Sequence, residues 1–452
     1  MPESAQVTKL PPPTGNNGKT AWKGALEAYG DRRVLLTLAL GFSSGLPLML
    51  TYRTLSAWLA TAGISRAAIG AFALVGTPYA LKFLWSPLMD RLPPPLPLGR
   101  RRGWGITVQI FLAAAILALG LSDPHRHLGL MGALAITVAF LSASQDIVID
   151  AWRVEILPLD LQGPGAGAIQ TGYYTGMLVA GAGGLVIASR AGWFAAYAVM
   201  AALLAVGVVV FLFSPEPEKS VEEAQHRRVL QVGLGSWFST AVIGPFLDFT
   251  RRPFWFVILV FVIAYKLGEA LAAVMATPLY ISLGFSLDEI AAVSQVVGVI
   301  AVVAGALFGG LVTTRFGILR SLMLCGILQS LGNLFYVLQA VEGHRTAYLA
   351  LCVIAENFTS AMAGTALVSY LSSLCSPAFT ATQYALLSSL ALIPRTIGAS
   401  SAGLLADAMG WAQFFLLTTV VTVPAFFLLI WIMRRSAGEP GKHSTVPAPT
   451  GT

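Results

Sequence analysis

The chain is poor in charge: of its 452 residues only 11% are Asp, Glu, Lys or Arg, against roughly 25% in a soluble domain. That leaves too little polar surface to face water on every side. Cysteine is scarce as well; Cys325, Cys352 and Cys375 cannot build a disulfide framework and stand in no metal-ligand spacing. They read as small core residues. The five histidines fall in loops or the tail, and the sequence lacks H-E-x-x-H, Walker and G-x-S-x-G patterns. The chain is therefore read as no enzyme, with neither cofactor nor metal. Nor do its first thirty residues, rich in Pro, Gly and Asn, contain the apolar core of a signal peptide.

What it has in excess is apolar surface, 56% of all residues. Crossing a bilayer takes about 20 apolar residues, and such runs recur near 34–58, 66–88, 104–122, 128–150, 165–189 and 193–213. Six more follow near 254–282, 287–313, 318–340, 346–373, 380–404 and 411–433. The expected fold is an all-α membrane protein with 12 transmembrane helices in two pseudo-symmetric six-helix bundles, 34–213 and 254–433. Residues 214–253 form the linker, 1–33 a disordered arm and 434–452 a disordered tail. The linker contains a partly apolar stretch, Gly233 to Leu247, that could lie on the membrane as an amphipathic helix.

Sorting the basic residues by alternating spans puts twenty on the side of the termini, four on the other side and four inside the spans. That asymmetry is the positive-inside pattern, so both termini are expected in the cytoplasm. The net charge of +7 is thus a topology signal, and no nucleic-acid partner is needed to explain it. The halves also echo one another. Gly63-Ile64-Ser65 returns as Gly284-Phe285-Ser286, and Gly192-Trp193 as Gly410-Trp411, at offsets of 221 and 218 residues.

Ionisable groups at bilayer depth are costly, so each is a functional candidate. Lys266 and Glu269 lie three residues apart on one helical face, either as a proton-responsive pair or as a static one. Glu356 and Arg395 fall near mid-depth of the tenth and eleventh spans. Glu356 suits a proton carrier or a helix-helix hydrogen bond, whereas Arg395 keeps its proton and suits an anion. Asp146 and Asp150 sit one turn apart in the fourth span. Asp146 could couple to protons or serve structure, and Asp150 reads as a partner for Arg153. Lys82 would snorkel or neutralise one of these acids. Arg53, with Trp58, Tyr173 and Tyr174, offers cationic and aromatic surface for an acidic sugar-containing ligand, or interfacial anchoring, which is preferred for Trp58. Gly41 with Gly45, Gly172 with Gly176 and Gly305 with Gly309 are close-packing pairs. Pro47, Pro278 and Pro394 should kink or open their helices.

Between the second and third spans stand Asp90-Arg91 and then Gly99-Arg100-Arg101-Arg102-Gly103; between the eighth and ninth stand Gly309-Gly310, Arg315, Gly317 and Arg320. These resemble the G-x-x-x-D-R-x-G-R-R loop of the major facilitator superfamily, stretched in the first copy and degenerate in the second. The resemblance implies a gate in which Asp90, Arg91, Arg101 and Arg102, with Asp150 and Lys82, pin helix ends in one of two states; the plain alternative is ordinary positive loops.

More particular strings are Gly45-Leu46-Pro47-Leu48, Lys82 through Arg91, Ser142 through Trp152, Tyr265-Lys266-Leu267-Gly268-Glu269-Ala270, Glu356-Asn357 and Ala381 through Ser388. Together they resemble the AmpG-type anhydromuropeptide permeases of that superfamily. The resemblance implies proton-coupled import, across a Gram-negative inner membrane, of cell-wall fragments carrying N-acetylglucosamine and anhydro-N-acetylmuramic acid. Such fragments serve wall recycling and, in some species, beta-lactamase induction. The expected partners are that small-molecule substrate, protons and the lipid bilayer, with the carrier a monomer. Proton coupling is assigned to Glu269, Glu356 and Asp146; substrate binding to Arg53, Tyr173, Tyr174, Gln145, Lys266, Asn357 and Arg395. The chain departs from the family pattern at Tyr174, where an Arg is usual, and at Tyr52 and Arg53, where small residues are. Alternatives are a carrier of another organic anion or acyl-CoA, a drug/proton antiporter, or a non-transporting membrane receptor.

Overall fold

The structure is a computed structural model that describes residues 18–217, 244–252 and 254–437. Among the described residues, ten helices are long and apolar enough to cross a membrane: Arg32–Thr61, Arg100–Gly120, Leu128–Ile156, Leu159–Ala191, Trp193–Phe213, Trp255–Ser282, Val299–Phe316, Ile318–Glu342, Thr346–Ser373 and Trp411–Arg435. They match the first, third to tenth and twelfth expected spans. The shorter apolar stretch Ala68–Leu84 stands in the second place and the helix Thr380–Met409 in the eleventh. An even number of crossings returns the chain to its starting side. That side carries Asp90 to Arg102, Arg153, Arg315, Arg434 and Arg435, and is called the basic end here.

The internal repeat is visible in the backbone. Gly63 and Gly284, Gly99 and Gly317, and Gly192 and Gly410 all have positive φ, between 73° and 99°, at matching turns of the two halves. A side chain in that region is strained, so these turns keep glycine. Within each half, glycines let spans touch backbone to backbone. A Cβ on Gly45 would stand 2.0 Å from the Tyr173 carbonyl oxygen, and one on Gly305 2.2 Å from that of Phe358. The close-packing role expected of Gly45 and Gly305 therefore has a steric basis. Pro278 and Pro394 lie inside continuous helices, whereas the first span breaks at Tyr52, five residues past Pro47.

Two expectations change. Residues 18–30 fall in the arm read from composition as disordered, yet Gly18–Glu27 is an α-helix followed by a 3-10 turn, Ala28–Gly30. Packing against the eighth span stabilises a segment whose composition alone would not. Asp31 then caps the first span by accepting from the Arg33 amide. A hydrogen bond from the Arg33 side chain holds the Asp31 carboxyl below its ordinary value. This cap is intact above the ordinary carboxylate range and fades only as pH falls through the lowered value. Trp58, expected at the interface, is buried, stacked on Trp193 at 5.6 Å and tilted against Tyr197. The interfacial helix expected over Gly233 to Leu247 lies mostly outside the described residues, although Gly244–Thr250 is helical and buries Pro245 and Phe249.

Candidate functional site

At the basic end the two halves are tied by a charged knot. Asp90, in the short helix Ser86–Arg91, accepts from the backbone amides of Ala381 (3.3 Å) and Thr382 (2.9 Å) and from the Thr382 hydroxyl (2.8 Å). A carboxylate at a helix N-terminus meets unpaired amides and the positive end of the helix dipole. Behind it the buried Arg101 donates to Asp90 at 2.8 Å and to Glu155 at 3.0 Å, and Arg100 reaches the Asp90 carbonyl. Arg102 donates to the carbonyls of Phe211 and Leu212, while Arg91 lies over the Phe379 ring at 4.8 Å. Sequence reasoning named the arginines and Asp90 but missed Glu155, and also Glu216, which accepts from the amides of Arg101 and Arg102. Glu155, in the last turn of Leu128–Ile156, and Glu216, past the helix that ends at Phe213, have no spacing that would flag them.

The same seam continues through the fifth and eighth spans. A Cβ on Gly163 would stand 3.1 Å from the Gly310 carbonyl oxygen, and Ser369 of the tenth span donates to the Gln162 carbonyl. Farther from the basic end, Tyr173 and Tyr174 are half-buried with their rings edge-to-face at 6.0 Å. Tyr52 and Arg53 beyond them are exposed.

A second cluster joins the second and fourth spans. The Lys82 ammonium lies 3.9 Å from Asp150, Arg153 lies 3.7 Å from the same carboxylate, and Arg153 also stands over the Tyr384 ring at 5.3 Å. Asp150 thus pairs with Arg153 as its spacing suggested, and with Lys82 too. Asp146, a turn along, accepts from the Ser44 hydroxyl of the first span.

Gln145 was expected at the substrate, but it is fully buried and donates to the Ser43 carbonyl at 3.0 Å. Pro47 explains this placement: it lacks the amide that would bond Ser43 in a regular helix, and Gln145 supplies the missing donor. Gln145→Leu is therefore expected to cost about 1–3 kcal/mol by leaving that carbonyl bare. Adding Pro47→Ala should recover much of the loss, and thermal unfolding in detergent measures both. An unchanged midpoint in Gln145→Leu would contradict the assignment.

In the other half, Lys266 pairs with Glu269, which also accepts from Gln329 of the ninth span (2.8 Å) and Ser360 of the tenth (3.0 Å). Both charged side chains remain about one-fifth exposed, Lys266 21% and Glu269 20%. One turn from Ser360, Glu356 interacts electrostatically with Tyr280 and Tyr336. Asn357 donates to the Val353 carbonyl of its own helix and faces Gly298. Arg395 belongs to the eleventh-span helix, but its side chain lies outside the described residues. The structure thus gathers Lys266 and Glu269 at one site, Asp146, Asp150 and Lys82 at a second, and Asp90 with Arg101 at a third.

Paired six-helix halves, joined at one end by charged loops and carrying a few charges at depth, define a multi-pass membrane transporter. The chain belongs to the Major Facilitator Superfamily, whose family model matches residues 63–399 and 267–451, and within it to the AmpG-type anhydromuropeptide permeases. It is 40% identical over 407 residues to the anhydromuropeptide permease of Escherichia coli (strain K12), covering 90% of this chain and 80% of that one. A Rickettsia conorii protein carrying the AmpG 4 name is 35% identical over 408 residues, 89% of this chain and 97% of that one. The solved structure of the human organic anion transporter MFSD10 (TETRAN) shares the fold with a TM-score of 0.62 at 16% identity, over 92% of this chain and all of that one. These are transporters and not enzymes.

Proposed function

We propose that the protein imports anhydromuropeptides, the disaccharide with or without its peptide, from periplasm to cytoplasm by proton-coupled alternating access. It would work as a monomer in a Gram-negative inner membrane and feed wall recycling and beta-lactamase induction. The likeness to the Escherichia coli permease across 90% of the chain carries the substrate reading. With the basic end taken as cytoplasmic, the knot at Asp90 and the seam at Gly163 and Gly310 close the inner door. The conformation is then outward-facing, with Tyr173 and Tyr174 at the floor of the passage and Arg53 toward its mouth. Lys266, Arg395 and Asn357 would meet the substrate's carboxylates and amides from the second half.

Glu269 has the surroundings of a fixed anion, with three donors including an ammonium. Its part in coupling would be to hold Lys266, leaving Asp146 and Glu356 to carry protons. Radiolabelled anhydromuropeptide should accumulate in proteoliposomes under an inward proton gradient and stop doing so with an uncoupler. A receptor would bind without accumulation; transport of an unrelated organic anion, uncontested by muropeptide, would favour that alternative. Glu356→Gln should abolish gradient-driven accumulation and spare counterflow exchange, and Asp146→Asn should weaken accumulation severalfold. Full concentrative uptake in both variants would refute the proton assignment.

A further inference from the structure

The segment ahead of the first span is chemically part of one half but is anchored on the other. Helix Gly18–Glu27 buries Ala25 and stacks Trp22 on Phe308 of the eighth span at 6.3 Å and 15°. Trp22 also meets Phe316 edge-on. Two residues past that helix, the Tyr29 hydroxyl donates to the Leu307 carbonyl at 2.7 Å. The same hydroxyl fills the room left by two glycines: it lies 2.4 Å from where a Cβ on Gly167 would stand and 2.1 Å from one on Gly310. Gly167 belongs to the fifth span and Gly310 to the eighth, so the phenol sits between the halves.

We propose that Tyr29, carried on a strap of residues 18–30, is a positioning residue that biases the transporter toward the state closed at the basic end. Opening that end separates the fifth span from the eighth. The strap, continuous with the first span through the Asp31 cap, must then leave the eighth span, lose the Leu307 bond and expose the faces of Trp22 and Phe308. Its docking free energy therefore opposes opening. The two glycines give the wedge its fit, since any larger residue at either position would occupy the place of the phenol.

The test needs no substrate, so it stands or falls separately from the muropeptide reading. Ser369→Cys places a thiol at a site with no exposure, under the Gln162 carbonyl in the closed seam. Its alkylation by N-ethylmaleimide, followed site by site by mass spectrometry in the full chain, reports how often the basic end opens. Tyr29→Ala and Trp22→Ala should each speed alkylation about fivefold, the effect of losing one net interaction. Tyr29→Phe, which keeps the wedge and loses the bond, should fall between these variants and the parent. If alkylation in folded alanine variants matches the parent, even with a lowered thermal midpoint, the segment is mere packing and the proposal fails. Should Tyr29→Ala not fold, Trp22→Ala at the rim of the eighth span decides the matter alone.

Discussion

Arg101→Ala is expected to abolish transport and to leave little monodisperse protein. Arg101 is only 1% exposed, and its guanidinium bridges Asp90 at 2.8 Å and Glu155 at 3.0 Å while donating to the Met89 carbonyl. Without it the buried Asp90 loses its ion-pair partner, and Glu155 keeps only Arg100 at 3.3 Å. Removing one partner of a buried ionic network costs about 3–5 kcal/mol, a large share of ordinary domain stability. Arg101→Lys keeps the charge but cannot span both acids with a planar fork, so it should retain partial stability and a slowed cycle. Adding Asp90→Asn and Glu155→Gln to Arg101→Ala should recover part of the yield, because the two acids are neutralised, while Arg100 gives up its ion pair with Glu155. Transport should stay low in that triple variant, since a neutral amide holds the amides of Ala381 and Thr382 more weakly than a carboxylate does. Size-exclusion profiles and uptake read these two effects separately. A normally folded Arg101→Ala with normal uptake would show that the knot neither supports the fold nor gates it.

The features that could be read from the sequence were those with a local physical signature. Apolar run length located the spans, and the i,i+3 spacing of Lys266 and Glu269 announced a pair on one helix. The repeated Gly-x-Ser and Gly-Trp turns marked the duplication that positive φ at Gly63, Gly284, Gly192 and Gly410 makes visible. What escaped were partners brought together only by helix rotation and packing. Ser360 and Gln329 are ordinary polar residues in sequence, yet both donate to Glu269. Gln145, expected at the substrate, is instead buried against the first span; the overlooked signal was Pro47, whose missing amide calls for a donor from a neighbouring helix. Likewise the strap at residues 18–30 owes its order to the surface beneath Trp22 and Tyr29, which composition does not encode.

The second large effect is expected at Lys266. Glu269→Gln would leave its ammonium without a counter-charge, and Lys266→Met would leave the carboxylate with Gln329 and Ser360 alone. Because both side chains are about one-fifth exposed, solvent screening limits each single loss to roughly 1–3 kcal/mol, less than at Arg101. Uptake in either single variant should fall by about five- to a hundredfold, since about 1.4 kcal/mol corresponds to a factor of ten in a rate. The double variant Lys266→Met with Glu269→Gln separates two roles the pair could have. If the charges only stabilise the helix packing, removing both should restore thermal stability and uptake together. If Lys266 meets the peptide carboxylates of the substrate, stability should return while peptide-bearing fragments remain poorly transported. The peptide-free disaccharide, which lacks those peptide carboxylates and keeps only its lactyl one, should then recover more of its uptake than the peptide-bearing fragments. Measuring the two substrates side by side in proteoliposomes gives a ratio that a packing role would leave at its parental value. Equal recovery of both would remove Lys266 from the binding site, and equal loss of both would make the pair part of the transport cycle itself.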